Sequence, residues 1–123
     1  MKLTLIGQPR TKKNSSRFVT LKDGRKFLLP SKEFSEYEKE CLIQIQRSLR
    51  QLINTPVSVA IRVYKKDYRK SDLVGYLQSI SDILVKAEVL EDDNYTIIRS
   101  YNGSFVAVDA ENPRVEIEIT DLT

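Results

Sequence analysis

Acidic residues at both ends of one segment could bind a metal ion. Asp72 stands just before an apolar helical stripe, and Glu91, Asp92 and Asp93 follow that stripe. Carboxylate oxygens are the ligands that Mg²⁺ prefers, and an ion held by them can activate water for attack on a phosphodiester. The chain has no histidine and one cysteine, Cys41, which excludes Ser-His and Cys-His hydrolysis and a cysteine zinc cluster. Any acid–base or metal chemistry must therefore depend on carboxylates and lysines.

The separation of the two acidic ends depends on the path of the chain between them. Apolar residues at spacings of three and four predict a helix from about Asp72 to Ala87, with a core face formed by Leu73, Leu77, Ile80, Leu84 and Ala87. Such a helix is about 23 Å long, and residues 88–93 span about 20 Å if they are extended. Asp93 returns close to Asp72 if these residues run back along the helix, and lies far from it if they continue outward. The sequence leaves both paths open.

Each of these acidic residues also has an ordinary structural interpretation. An aspartate before an apolar stripe is very often an N-cap, which would account for Asp72. Asp92 and Asp93 precede Asn94 in what would be a simple turn. Asp82 is interpreted as a helix-surface charge that pairs with Lys86, four residues later, and its alternative role is to help hold an ion, as Glu91 or Asp92 could. From the residues alone, a metal site and these structural roles remain alternatives.

Charge is distributed unevenly along the chain, although the net charge is only +3. Residues 1–30 contain eight basic residues and one acid, whereas residues 91–123 contain eight acids and two arginines. Such asymmetry is typical of a polyanion-binding surface beside an acidic site, and ordinary clustering of charges on a solvated surface is the alternative. The candidates for phosphate contacts are Arg10, Lys12, Lys13 and Asn14 in a loop near the start, and Lys65, Lys66, Arg69 and Lys70 before the helix. Tyr68 and Tyr76 could stack on unpaired bases, although burial is the commoner role of a tyrosine.

Length and composition predict one globular domain over residues 1–123. The chain is 41% hydrophobic and 30% charged, values that are typical of a soluble protein. It contains no apolar run long enough to cross a bilayer and no signal-peptide core at its start. We therefore expect a cytoplasmic protein.

The pattern of elements predicts an α/β fold of the α+β type: a two-layer sandwich with a mixed sheet, hairpins and two main helices. The first main helix should run from Ser31, as N-cap, to about Ile53, with a core face of Phe34, Tyr37, Cys41, Ile45, Leu49 and Leu52. Strands are expected at residues 1–6, 57–63 and 115–119. Hairpins are expected around Asp23-Gly24 and around Asn102-Gly103, the second joining residues 95–101 to residues 104–108.

The chain resembles the RusA-type Holliday-junction resolvases, which are small, dimeric, magnesium-dependent endodeoxyribonucleases common in phages and prophages. The resemblance covers most of the chain. It lies in Gly7-x-Pro9 with Lys12-Lys13-Asn14, in Pro30-Ser31, in Asn112-Pro113-Arg114, and above all in the segment from Asp72 to Asp93. The family pattern in that segment is D-x-D-N, a lysine three residues later, and a D-D pair about fifteen residues beyond.

The resemblance implies a metal-dependent endonuclease of branched DNA that acts as a homodimer. Asp72 and Asp93 take the places of the first and last aspartates, so they would hold Mg²⁺ or Mn²⁺, with Asp92 as a third catalytic residue. Val74, Gly75 and Gln78 stand where the family pattern has its second aspartate, asparagine and lysine. The alternative is a protein that keeps this fold and binds DNA junctions without cleaving them. A basic RNA-binding module is a more distant alternative, because the acid cluster would repel RNA.

Overall fold

The computed structural model describes residues 1–12, 17–29 and 31–123. Its elements are β1 (Lys2–Ile6), β2 (Arg17–Thr20), β3 (Lys26–Leu29), α1 (Lys32–Gln44), β4 (Val57–Lys65), α2 (Leu73–Lys86), β5 (Ile98–Ser100), β6 (Phe105–Val108) and β7 (Arg114–Asp121). A short 3₁₀ turn, Arg47–Leu49, follows α1.

Five strands form one mixed sheet centred on β7 and β4. Strand β7 pairs antiparallel with both β1 and β4, while β5 and β6 pair in parallel with the other edge of β4. Helix α1 contacts β1, α2 contacts β4, and the two helices contact each other. The apolar side chains of both helices and of the sheet form one buried core. The structure confirms the predicted α/β sandwich of a mixed sheet and two main helices.

Strand β4 follows the alternation predicted for residues 57–63. Val59, Ile61 and Val63 are fully buried on the face that meets the helices. Arg62 and Tyr64 point to the other face and are half-buried. This period of two is what a strand covered by helices on one side requires.

The first predicted hairpin is confirmed and the second is wrong. Strands β2 and β3 pair antiparallel around Asp23-Gly24. In contrast, β5 and β6 lie in line along the same edge of β4, and both run parallel to it. The residues around Gly103 interrupt one edge strand and do not reverse it, and Ser104 Oγ accepts a hydrogen bond from the Ile61 N–H group at 2.9 Å in the gap. The buried backbone of β4 needs partners along its whole length, which a local hairpin would not supply.

Helix α1 begins as predicted and ends earlier. Ser31 is its N-cap, and Ser31 Oγ accepts a hydrogen bond from the Phe34 N–H group at 3.1 Å. The helix ends at Gln44, where a run to about Ile53 was predicted. Beyond it, the Ile53 N–H group donates to the carbonyl of Val89 at 3.0 Å. The chain leaves the helix because residues 52–53 bond to the segment that follows α2.

Residues that were expected on the core face of α1 differ in burial for the same reason. Phe34, Tyr37, Cys41 and Ile45 are buried, Leu49 is half-buried, and Leu52 is 50% exposed. The helical periodicity therefore holds only as far as the helix itself.

Helix α2 matches its predicted bounds closely, but two details differ. Leu73 is 37% exposed and Tyr76 takes its place in the core with only 3% exposure, whereas Ile80, Leu84 and Ala87 are fully buried as expected. The predicted pairing of Asp82 with Lys86 is wrong. Lys86 pairs with Glu38 of α1 at 2.6 Å, because the packing of the two helices brings Glu38 within its reach. In the described part of the chain, no helix has the length and apolar character needed to cross a membrane.

Replacing Gly75 with alanine should stabilise the protein by about 0.5–1 kcal/mol, because alanine removes the entropic cost of glycine within a helix. A Cβ atom at Gly75 would meet its nearest neighbour, Thr11 Cγ2, at an ordinary contact distance of 3.5 Å. Urea unfolding measures the change. The matched control is Gly103→Ala, which should destabilise the protein because φ at Gly103 is +87°. A loss of stability in Gly75→Ala would contradict this account of α2.

Candidate nucleic-acid interface and acidic site

Two loops leave the sheet side by side at one end. Ile6 of β1 and Tyr64 of β4 both pair with Arg114 of β7. Because β1 and β4 are both antiparallel to β7, they run in the same direction and continue into loops at the same end. Gln8 Oε1 in the first loop accepts a hydrogen bond from the Lys66 N–H group in the second at 2.9 Å. The tertiary structure thus joins two basic segments that lie far apart in sequence.

These loops form a cleft of about 430 Å³, which we call the basic cleft. The basic residues that line it are Arg10, Lys65, Lys66, Arg69 and Lys70. Glu33 and Asp67 are the acidic residues among its lining. The excess of positive charge suits a phosphate backbone, which attracts lysine and arginine regardless of sequence.

Lys65 shapes the basic cleft and does not present its charge at the surface. It is 5% exposed, and its ammonium group donates a hydrogen bond to the Arg69 carbonyl. The Asp67 carboxylate accepts a hydrogen bond from the Arg69 N–H group at 3.0 Å. Lys66, Arg69 and Lys70 are exposed on the loop that these contacts hold. Among the predicted phosphate contacts of this loop, these three are therefore the accessible ones.

The two tyrosines near the basic cleft have opposite environments. Tyr76 is 3% exposed, and burial raises its pKa, against the lowering effect of a hydrogen bond with Ser71. It packs in the core and cannot stack on a base. Tyr68 is 89% exposed, on the loop between Lys66 and Lys70.

Lys12 connects the basic loop to α2. Its backbone N–H group donates to Ser79 Oγ at 3.1 Å, and its ammonium group lies 3.0 Å from Asp82 Oδ2. The same ammonium group lies 5.6 Å from the centre of the Phe34 ring. Lys12 therefore brings a positive charge to the acidic residue in the middle of α2. Lys13 and Asn14, the other two candidates in this loop, lie outside the described residues.

Asp82, Asp92 and Asp93 form the acidic site, between α2 and the segment that follows it. Desolvation raises the pKa of Asp93, and interaction with the carboxylates of Asp92 and Asp82 raises it further. The pKa of Asp92 is lowered, because its carboxylate accepts hydrogen bonds from the Asp93 N–H group at 2.7 Å and from the Asn94 amide at 2.9 Å. Three carboxylates therefore lie close enough here for their negative charges to repel one another.

Tyr101 lies beside the acidic site. Its hydroxyl group is 2.7 Å from Ser81 Oγ on α2. Burial raises the pKa of Tyr101, and the charges of Asp93 and Asp82 raise it further, against the lowering effect of the Ser81 hydrogen bond. This contact ties the chain after β5 to the part of α2 that carries Asp82.

Asp72 lies at the other end of α2, next to the basic cleft. Its backbone occupies the predicted N-cap position of α2. Its side chain makes no capping hydrogen bond to the helix. It follows Ser71, which lines the basic cleft. Asp82 lies about 15 Å further along the helix axis at 1.5 Å per residue. The charge of Asp82 is one of the causes that raise the pKa of Asp93, so residues 88–93 bring Asp93 within electrostatic range of Asp82.

Asp82 is the acidic residue of α2 whose preferred interpretation from the sequence, a surface pair with Lys86, is replaced by a contact with Lys12. Asp82 lies on the same face of α2 as Gln78 and Val74. It is one helical turn beyond Gln78 and two turns beyond Val74. Val74 is 68% exposed, which is unusual for a valine and leaves this face open. The signal in the sequence is the pair of serines, Ser79 and Ser81, which interrupt an apolar helix and are both buried beside Asp82.

The acidic site fits a divalent cation by its donor chemistry. Among residues 1–12, 17–29 and 31–123, no group of three or more His, Cys, Asp or Glu side chains is arranged to hold a metal ion. Asp82 and Asp93 nonetheless supply the hard oxygen donors that Mg²⁺ and Mn²⁺ take, and Mg²⁺ commonly binds one or two carboxylates and keeps several waters. Desolvation is the largest cause of the raised pKa of Asp93, and a bound cation would relieve the smaller part that comes from the charges of Asp82 and Asp92.

Comparison with protein families identifies the class of the chain. The family model described as Endodeoxyribonuclease RusA matches residues 6–120 of the 123-residue chain. The chain belongs to the RusA endodeoxyribonuclease family. A comparison of the chain with curated proteins found no match. The match confirms the resemblance drawn from the motifs and spans both loops of the basic cleft and the acidic site of this RusA-family chain.

Replacing Asp82 with asparagine should lower the pKa of Asp93, because the change removes one of the neighbouring charges that raise it. Carboxyl ¹³C NMR titration without divalent metal measures the pKa directly. Glu111→Gln, which changes an exposed acid after β6, is the control and should leave the pKa of Asp93 unchanged. If the pKa of Asp93 were unchanged in Asp82→Asn, the two carboxylates would not interact electrostatically.

Replacing Asp93 with asparagine should raise the melting temperature at pH 7 in EDTA. Because the pKa of Asp93 is raised in the folded state, its stabilising contribution is complete below the unfolded pKa and is lost as the pH rises through the folded pKa. The neutral amide avoids that loss, so the gain should shrink as the pH falls toward 3. Differential scanning calorimetry at both pH values tests this, and an equal or lower melting temperature at pH 7 would contradict it.

Proposed function

We propose that this RusA-family chain is a divalent-metal-dependent endonuclease that resolves Holliday junctions or other branched DNA in recombination and repair. The observation that carries the proposal is the connection between the basic cleft and the acidic site. The loop that supplies Arg10 to the cleft also places Lys12 against Asp82. This contact supports a function in which phosphate binding is combined with carboxylates suited to phosphodiester hydrolysis.

The basic cleft would bind the DNA backbone. Arg10, Lys66, Arg69 and Lys70 would contact phosphates, while Lys65 holds the loop that carries three of them. Lys13 and Asn14 keep the role that the family resemblance gives them. Such contacts position a duplex without reading its sequence.

The acidic residues would provide the metal site. The family resemblance assigns metal binding to Asp72 and Asp93 with Asp92 in support, and the electrostatic coupling of Asp93 to Asp82 adds Asp82 as a candidate ligand. A bound Mg²⁺ or Mn²⁺ would polarise the phosphodiester and lower the pKa of the attacking water. Lys12 would orient the Asp82 carboxylate and supply positive charge near the scissile phosphate, in a chain that has Gln78 where the family has lysine.

A homodimer would suit this activity. Symmetric cutting of two strands of a four-way junction needs two active sites related by a two-fold axis. Analytical ultracentrifugation of the purified protein, alone and with a junction, tests this part of the proposal.

The second candidate function is junction binding without cleavage. It is favoured by the exposed Val74 and by Gln78, which put an apolar and an uncharged side chain on the face of α2 that also carries Asp82. Valine cannot coordinate a cation. On this alternative the basic cleft would be retained and the acidic site would be a remnant.

Cleavage of a labelled four-way junction in Mg²⁺, Mn²⁺ or EDTA, beside a linear duplex of equal length, separates the two functions. We expect metal-dependent, paired nicks in the junction. Asp93→Asn should abolish cutting and preserve binding, because it removes a ligand of the metal and leaves the basic cleft intact. Tight junction binding with no cutting in either metal would establish the second function.

Variants in the same assay assign the metal ligands. Loss of cutting in Asp82→Asn but not in Asp72→Asn would place the ion at the acidic site, and the reverse would support the assignment from the family resemblance. Glu111→Gln, an acid outside both sites, should cut like the wild type. Retained cutting by Asp93→Asn would remove Asp93 from the proposed site.

A further inference from the structure

The loop between β4 and α2, residues 66–72, separates two grooves. One is the basic cleft. The other has a volume of about 290 Å³ and lies between this loop and β6, with Val106, Ala107 and Val108 on its far wall. Tyr68 lines only this second groove, which we call the β6 groove, whereas Arg69 and Lys70 line both.

Tyr68 is far more exposed than Tyr64 and Tyr76, the two tyrosines that lie near the same end of the sheet. Tyr64 meets Phe105 edge-to-face at 5.6 Å and lies 3.9 Å from the Arg114 guanidinium, and Tyr76 is buried. In the part of the chain that the structure describes, no ring or cation contact involves Tyr68, which is 89% exposed. A single exposed aromatic residue is not unusual by itself, so its setting has to decide what it does.

That setting is a loop held from both sides. Lys65 and Asp67 bond to the backbone of Arg69, and Gln8 bonds to the backbone of Lys66. The residues that flank Tyr68 are therefore fixed by the core side and by the neighbouring loop. A fixed loop presents an aromatic ring at a lower entropic cost on binding than a mobile one.

The charges beside Tyr68 indicate which molecule it would meet. Lys66, Arg69 and Lys70 are exposed around it, and Asp67 is the acidic residue in the lining of the β6 groove. The far wall of this groove is formed by the apolar residues Val106, Ala107 and Val108. A nucleotide combines the two matching features, an anionic phosphate and an aromatic face. Stacking of bases on aromatic side chains beside a positively charged groove is the usual way in which proteins bind unpaired strands.

We propose that Tyr68 stacks on an unpaired base at the branch point of the DNA, in the β6 groove, while phosphates of the adjoining duplex lie in the basic cleft. The proposal rests on the proposed function and adds how a branch is distinguished from a linear duplex. In a linear duplex every base is stacked and paired, so Tyr68 has no partner there. Arg69 and Lys70, which line both grooves, would hold the phosphates on either side of the displaced base.

The test is binding in EDTA, where no cutting occurs, to a four-way junction and to a linear duplex of equal length. Tyr68→Ala should weaken junction binding by a factor of about 5 to 150, the range for loss of one base–aromatic stack, and leave duplex binding unchanged. Tyr68→Phe, which keeps the ring, should bind like the wild type. Tyr95→Ala is the matched control, because Tyr95 is 76% exposed on the segment after α2. Circular dichroism melting confirms that each variant is folded.

A fluorescent base provides a second readout that a merely structural role of Tyr68 would not change. 2-Aminopurine at the branch point should be quenched by wild type and Tyr68→Phe but not by Tyr68→Ala. Arg69→Ala should weaken binding to both DNAs and reduce the salt dependence, since it removes a phosphate contact.

The outcomes separate this inference from the proposed function. Junction binding by Tyr68→Ala at wild-type strength, or an equal loss on the linear duplex, would overturn the stacking role alone. Failure of the wild-type protein to bind either DNA would overturn the proposed function and the stacking role with it.

Discussion

Antiparallel pairing of β7 with both β1 and β4 is the constraint on which the rest of the structure depends. It makes β1 and β4 run in the same direction and end level with Arg114. The pairing is stabilised by the core beneath it, where Leu5, Ile61 and Ile117 are buried against the two helices. The loops after β1 and β4 therefore form one basic cleft, although about sixty residues of sequence separate them.

Buried polar groups keep that cleft in one conformation. A buried ammonium group is costly unless it is bonded, and Lys65 meets the requirement by donating to the Arg69 carbonyl. Its own backbone carbonyl accepts a hydrogen bond from the Asp109 N–H group at 2.8 Å. Lys65 therefore connects the end of β4 to the loop that follows it and to the end of β6. Together with Asp67 and Gln8, Lys65 holds the loop that carries the exposed cations.

The acidic site shows the opposite balance, since it gathers like charges that weaken the folded state. Asp93 is held near Asp82 and Asp92 with a raised pKa, and Lys12 offsets only part of that repulsion, at Asp82. Such strain is common where a protein keeps a site for a ligand at the expense of stability. Val74 and Gln78 stand where the family pattern has an aspartate and a lysine. The acidic residue on this face of α2 is Asp82, one helical turn after Gln78. Asp82 pairs with Lys12 of the first loop.

Local chemistry was sufficient to predict much of the fold. Ser31 caps α1, Asp23-Gly24 turns the first hairpin, and the apolar periodicity sets the bounds of α2, because these features depend on residues within a few positions of one another. The family motifs likewise identified the class of enzyme, since their order and spacing are properties of the sequence. Of the candidate site, the sequence predicted the basic loops and the acidic residues Asp72, Asp92 and Asp93, but it could not say which of them lie together.

Only the tertiary structure decided the remaining features, and each depends on contacts between distant residues. Helix α1 ends at Gln44 because residues 52–53 bond to residues 88–89, and β5 and β6 lie in line because β4 leaves an edge for both. Asp82 meets Lys12 because the first loop packs on α2. Periodicity and capping report the state of a few neighbouring residues, so the sequence by itself determined most of the elements and the family of the chain. The packing of those elements determined which charges share a site.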